Sequence, residues 1–197
     1  KVRLYNTPMK KNRAHKKSLW LSLAVFLSLI LFTSVQAKQA GYTTRVEPPQ
    51  SILFTGNSLT FYNNAIYTHL RKLQVAENPA NRKAFFLKSM TISGGQLSDH
   101  AGGLNQMLHS RDWDVVVLQG QSREPIDPEL AAGFESAAKL FAKEIRSKGA
   151  EPVLFMTWAY SDKPKMTIQL ANAFRKLGNK LDIMVIPIGL AFEQAKE

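Results

Sequence analysis

The chain of 197 residues contains no cysteine. Disulfides, thiolate metal sites and a cysteine nucleophile are therefore excluded. Export is not, because a domain of this size can stand on its hydrophobic core without cross-links. Long apolar runs are scarce too. The longest, Leu19 to Phe32, has 14 residues, short of the roughly 20 that cross a bilayer. There is no internal repeat and no basic stripe with interleaved aromatics. Acidic charge is missing from one place only. Residues 1–37 hold seven Lys or Arg and no acid, whereas from Lys38 onward 19 basic residues face 15 acidic ones. The formal charge of +11 thus falls to +4 beyond that segment. An evenly scattered, mildly basic chain argues against a nucleic-acid partner.

What is present at the start has the layout of a secretory signal. Met9-Lys-Lys-Asn-Arg-Ala-His-Lys-Lys17 is basic, the apolar run follows, and Val35-Gln36-Ala37 puts small residues where a signal peptidase cuts. A signal peptide over 1–37 is expected, with its start at Met9 and cleavage near Ala37. The alternative is an uncleaved anchor that tethers the domain to a membrane. No Cys follows the apolar run, so a lipoprotein is excluded. Residues 38–50 are polar, with Pro48-Pro49, and read as a linker.

From residue 51 onward, short apolar segments alternate with helical patterns. Strands are expected at Ile52–Thr55, within 84–92, at Asp114–Leu118, at Pro152–Thr157 and at Ile183–Ile188. Helices are expected over 63–74, 97–108, 128–148 and 166–181, with another beginning at Leu190. Asp114-Val-Val-Val-Leu118 is β-branched and unbroken, as a strand buried on both faces should be. The alternation predicts an α/β fold, a three-layer αβα sandwich around a five-stranded parallel sheet.

The candidate chemistry lies at strand ends. Ser51-Ile-Leu-Phe-Thr-Gly-Asn-Ser-Leu-Thr60 runs a strand directly into Gly56-Asn57-Ser58. In an open parallel sheet, ligands bind beyond the carboxyl ends of the strands. Ser58 is the candidate nucleophile, exposed on the turn and close to backbone N–H groups that can hold an oxyanion. Thr60 stands where the Gly-x-Ser-x-Gly elbow has its second glycine, so the ordinary α/β-hydrolase elbow is not met. A serine that merely caps a helix would look the same. Ile92-Ser-Gly-Gly-Gln-Leu97 closes the second strand, and Gly94 could bring a backbone N–H to an oxyanion. Leu118-Gln-Gly-Gln-Ser122 closes the third, with two side-chain amides. Either of the last two segments could also be a plain turn.

Gly-Asn-Ser-Leu, a strand-end glycine and a strand-end polar block, in that order, resemble the SGNH (GDSL-type) hydrolase superfamily. The likeness is to the secreted branch whose third block carries glutamine. It covers the chain from about Ile52 and implies a flavodoxin-like SGNH-hydrolase fold. It also implies an esterase that needs no cofactor and acts on a small acyl ester, such as an acetylated carbohydrate. By position it makes Ser58 the nucleophile and assigns the oxyanion hole to Ser58, Gly94 and Gln119, with Gln121 the alternative in a shifted register. Asn57 stands where the eponymous motif has Asp. Trp113-Asp114 and Thr157-Trp158 also fit the branch and are read as structural. The family's base comes from an Asp-x-x-His block after the fifth strand. None of His15, His69, His100 and His109 has that spacing. The block is therefore expected beyond Glu197, and the chain as written is expected to be C-terminally truncated and nearly inert. His69 is read as a surface residue, His109 as lying near a helix end where a cation suits the dipole, and His100 as lying on a helix face, with an approach to the site as the alternative. Two other functions stay open: a flavodoxin-like FMN-binding module, with Thr55-Gly-Asn-Ser58 as a phosphate loop, and a non-catalytic carbohydrate- or envelope-binding domain on the same scaffold.

Overall fold

A computed structural model describes residues 48–195, apart from 82 and 83. The expected signal peptide and most of the expected linker lie outside the described residues. Five strands form one parallel sheet: β1 (Ser51–Gly56), β2 (Phe86–Thr91), β3 (Val115–Leu118), β4 (Glu151–Phe155) and β5 (Met184–Ile186). Their spatial order is β2-β1-β3-β4-β5. Strand order reverses at β1, which pairs with β2 on one side and β3 on the other. The switch point therefore lies at the end of β1.

The helices are α1 (Ser58–Phe61), α2 (Ile66–Glu77), α3 (Ala101–Ser110), α4 (Ala131–Ser147), α5 (Met166–Leu181) and α6 (Ile188–Gln194). They cover both faces, which gives the αβα sandwich expected from the alternation. The larger core joins one sheet face, through Leu53, Val116, Leu118 and Leu154, to Leu104 of α3, Phe134 and Phe141 of α4, and Leu170 and Phe174 of α5. Phe134 and Phe174 meet edge to face, 5.7 Å between centroids, a favoured aromatic geometry. The other face carries Ile52, Phe54, Val115, Val117, Val153 and Phe155, against which Ile66, Tyr67 and Leu70 of α2 and Ile188 of α6 are packed. That side is less filled. No residue of α2 is fully buried, and Leu73 is 68% exposed. An apolar groove of about 580 Å³ runs along the sheet there.

Several boundaries moved for local reasons. The helix expected from residue 63 begins at Ile66, because Asn63, Asn64 and Ala65 all have positive φ and no α-helix continues through such backbone. The stretch from Leu97 begins as a 3₁₀ turn (Leu97–His100) before α3 starts. Gly149 ends α4 as expected. With φ +76, its N–H bonds the Arg146 carbonyl, and the Ala150 N–H bonds that of Ile145, a Schellman closure. Leu140 of α4 is half exposed. Gln50 belongs to the sheet edge, not to a linker: its N–H and that of Ser51 donate to Asp114 Oδ2 at 2.8 and 2.9 Å. Asp114 thereby fixes the start of β1, the structural part expected for it. Trp113 is likewise buried, its Nε1 donating to the Met107 carbonyl.

Candidate active site

The register brings Gly56, Thr91 and Leu118 to one edge of the sheet. Pairing continues past the strands, because the Ile92 N–H bonds the Gly56 carbonyl and the Gln119 N–H bonds that of Thr55. The loops after β1, β2 and β3 are therefore held side by side, and they contain Ser58, Gly94 and Gln119.

Asn57 links all three. It is buried, and its Nδ2 donates to the carbonyls of Gly95 at 3.0 Å and Gly120 at 3.3 Å. Its Oδ1 accepts from the Leu59 N–H at 3.1 Å, which caps α1. The cap is thus Asn57, and Ser58 is left as the first helical residue. Ser58 is half-buried. Among the described residues neither its Oγ nor its N–H has a hydrogen-bond partner. α1 is a single turn of four residues, so the loop offers an oxyanion the Ser58 N–H and not a long helix dipole.

Gly94 occupies the turn from Ile92 to Gly95, closed by the Gly95 N–H on the Ile92 carbonyl at 3.0 Å. Its φ of +67 is a conformation that suits glycine. It is exposed, its N–H has no partner among the described residues, and a side chain there would meet open space. Both features suit a backbone donor that faces a ligand.

Gln119 differs from the donor that the resemblance implies in where its amide bonds. It is fully buried, and its amide is saturated inside the protein. Oε1 accepts from the Asn57 N–H at 2.9 Å and the Thr60 hydroxyl at 2.6 Å. Nε2 donates to Asn57 Oδ1 at 2.9 Å and to the Gly120 carbonyl. No amide hydrogen is left over for an oxyanion, so Gln119 is a buried strut. The contact also explains Thr60, whose hydroxyl is needed where the commoner elbow has glycine. Gln121 is half-buried, and its Oε1 accepts the Arg123 N–H at 3.0 Å within its own turn.

Sequence reasoning missed Glu124. It is fully buried, and its carboxylate accepts the Leu97 N–H (3.1 Å to Oε2) and the Gln121 N–H (2.7 Å to Oε2). Burial pushes its pKa up, with Asp99 adding to the effect and the two N–H bonds opposing it. Nothing in Arg123-Glu124-Pro125 separates a buried acid from one on a solvated turn. His100 is the second surprise. It is 1% exposed, and neither ring nitrogen completes a hydrogen bond of normal geometry. Burial lowers its pKa; the Asp99 carboxylate and the nearby Gly56 carbonyl oppose this. His69 is exposed and His109 lies in the last turn of α3, both as expected, and they bond the carbonyls of Asn63 and Asn105.

Beyond the ends of β4 and β5, along the same edge, lies a cleft of about 800 Å³. Trp158, Tyr160, Asp162, Phe192 and Glu193 line it. Trp158 and Phe192 meet edge to face at 4.8 Å. The Thr157 hydroxyl donates to the Ser122 carbonyl at 2.8 Å, the structural part expected for it. No cluster of possible metal ligands occurs among the described residues.

No protein-family model matches the chain, and no curated protein matches it in sequence. Solved structures do match it. A protein of Slackia heliotrinireducens described as an SGNH hydrolase superimposes with a TM-score of 0.58 at 22% identity, over 73% of this chain and 81% of that one. The acetylxylan esterase Axe2 of Geobacillus stearothermophilus, in a catalytic mutant, gives 0.57 at 12% identity over 77% and 82%. The esterase EstA of a Pseudoalteromonas species gives 0.55 at 12% over 70% and 76%. At these identities the likeness is one of fold, the αβα sandwich that SGNH hydrolases share.

Proposed function

We propose that this chain, which carries the SGNH-hydrolase fold, is an exported serine esterase that acts on small acyl esters. The observation that carries the reading is Ser58 at the switch point. Its hydroxyl and N–H are both unengaged among the described residues, and its loop is held beside the Gly94 turn by Asn57. Structural neighbours named as esterases support the class of reaction.

In the proposed reaction, Ser58 Oγ attacks the ester carbonyl carbon and its proton passes to a general base. The Ser58 and Gly94 N–H groups hold the oxyanion. The carbon–alkoxy bond then breaks, and the alcohol leaves with the proton. Water attacks the acyl-serine through the same steps and releases the acid. The resemblance implies a histidine of an Asp-x-x-His block as that base, and loss of the base in a comparable triad costs on the order of 10⁶ in turnover. The cleft of Trp158, Tyr160 and Phe192 with two nearby carboxylates supports an acylated carbohydrate as substrate, since such rings stack on apolar sugar faces while acids accept hydroxyls. The basic, apolar and small-residue segments before Lys38 support export. Among the described residues no helix is long and apolar enough to cross a membrane.

The test is Ser58→Ala in the full-length protein, assayed on a short-chain nitrophenyl ester and on acetylated xylan. Hydrolysis should disappear while folding is unchanged. Activity equal to wild type would remove Ser58 from the chemistry and leave a binding module as the better reading.

A further inference from the structure

The Gly94 turn carries two glycines, of which Gly94 is exposed at positive φ and Gly95 is buried. Its N–H can serve an oxyanion only if the loop is held. One anchor is the Gly95 carbonyl, which accepts from Asn57 Nδ2. The other lies past the loop, at Leu97, whose N–H reaches across 27 residues to the Glu124 carboxylate. The same carboxylate takes the Gln121 N–H at 2.7 Å. One buried side chain therefore ties the second loop to the third. The fit is close: a side chain at Gly120 would come within 2.4 Å of Glu124 Oε2 and 2.8 Å of the Phe134 ring. The Gly120 carbonyl is in turn bonded by Asn57 and Gln119. A continuous path of hydrogen bonds and packing thus runs from Glu124 to the residue that caps the Ser58 turn.

We propose that Glu124 is a positioning residue of the active site, holding the Gly94 turn against the Ser58 turn by accepting the Leu97 and Gln121 N–H groups together. The inference rests on the esterase reading above. An ionised carboxylate suits the task because it offers only acceptors, and its bonds to N–H donors are stronger than neutral ones. Glu124 touches no reacting atom. Its effect is on the placement of the Gly94 N–H, where a displacement of about 1 Å can cost up to about 10²-fold in rate.

The experiment compares wild type, Glu124→Gln, Glu124→Asp and Ser58→Ala as full-length proteins. Two readouts are taken: kcat and KM on a short-chain nitrophenyl ester, and backbone amide exchange at Leu97 and Gln121. In Glu124→Gln a neutral carboxamide oxygen replaces the Oε2 that takes both N–H groups, and an NH2 replaces the Oε1 that lies 3.3 Å from the Leu97 N–H, so both bonds weaken, that of Leu97 most. The expected result is lost protection at Leu97 or Gln121 with the β3 amides still protected, and kcat down by about 10- to 100-fold with KM unchanged. Glu124→Asp, which keeps two acceptors, should recover part of both; it also carries the test if the Gln variant does not fold. Wild-type kcat in a Gln variant that has lost protection overturns the inference, and so does unchanged protection at both amides. Ser58→Ala with full activity, or a wild type without esterase activity, overturns the reading beneath it, and the positioning role falls with it. The exchange data would still show whether Glu124 joins the two loops.

Discussion

Asn57 and Gln119 bond each other twice. The Asn57 N–H donates to Gln119 Oε1, and Gln119 Nε2 donates to Asn57 Oδ1, both at 2.9 Å. The pair closes the gap between the ends of β1 and β3, and it fixes which way both amides face. Reversing either would set donor against donor. The residue next to the candidate nucleophile is therefore held by the residue that follows β3.

That assignment separates stability from turnover. Gln119→Leu keeps the volume but leaves the Asn57 N–H and the Thr60 hydroxyl without an acceptor. The expected cost is about 1–3 kcal/mol for each donor left unmet, read from urea unfolding. A variant with wild-type stability and lost turnover alone would return Gln119 to the oxyanion hole.

Gly56 meets the same pair from below. A Cβ there would lie 2.3 Å from Gln119 Oε1 and 2.5 Å from Thr60 Oγ1. Gly56→Ala should destabilise the fold by about 1–3 kcal/mol through overpacking. Urea midpoints decide it, and no change would mean that the strut can shift.

Gly94 differs in kind, because its neighbourhood is empty and only its φ is special. Gly94→Ala should lose about 1–2 kcal/mol to left-handed strain and lower kcat as the turn moves. An unchanged kcat with the stability loss present would remove Gly94 from the oxyanion hole.

His100 and Glu124 make stability depend on pH with opposite signs. Burial lowers the folded pKa of His100, against Asp99 and the Gly56 carbonyl. The folded state then binds fewer protons than the unfolded one, so its contribution is lost as pH falls below the ordinary 6.5. Burial raises Glu124, with Asp99 adding to it and the Gln121 and Leu97 N–H groups opposing. Its contribution is present at low pH and is lost as pH rises above the ordinary 4.5. The slopes oppose each other between these values. Urea unfolding from pH 4 to 8 should show His100→Gln without the acid-side loss and Glu124→Gln without the other. If neither variant changes its slope, the two groups titrate alike folded and unfolded.

The layer order of the fold was readable because its cause is local and repeated. Val115–Leu118 can only be a strand buried on both faces, and the stripe of Phe134, Phe141 and Ile145 can only be a helix against it. Ser58 and Gly94 were readable as strand-end residues for the same reason. Gln119 was readable as an amide at the sheet edge, but the sequence does not show that its side chain is bonded to Asn57, Thr60 and Gly120. Glu124 and His100 were unreadable in a stricter sense. Their burial depends on loops that meet only after three strands have paired, and no neighbour in sequence signals it.

The strut has a consequence for how this chain can change over time. Gly56, Asn57, Thr60 and Gln119 form a linked set: Gln119 Oε1 takes the Asn57 N–H and the Thr60 hydroxyl, Asn57 Oδ1 takes Gln119 Nε2, and the missing side chain of Gly56 leaves the room. Replacing Asn57 or Gln119 alone strands partners of the other. Drift at these four positions should therefore be locked together, with single steps harmful and paired steps tolerated. Ser58, which shares none of these bonds, stands outside the lock. Its chemistry could be lost in one substitution while the scaffold around it stayed intact.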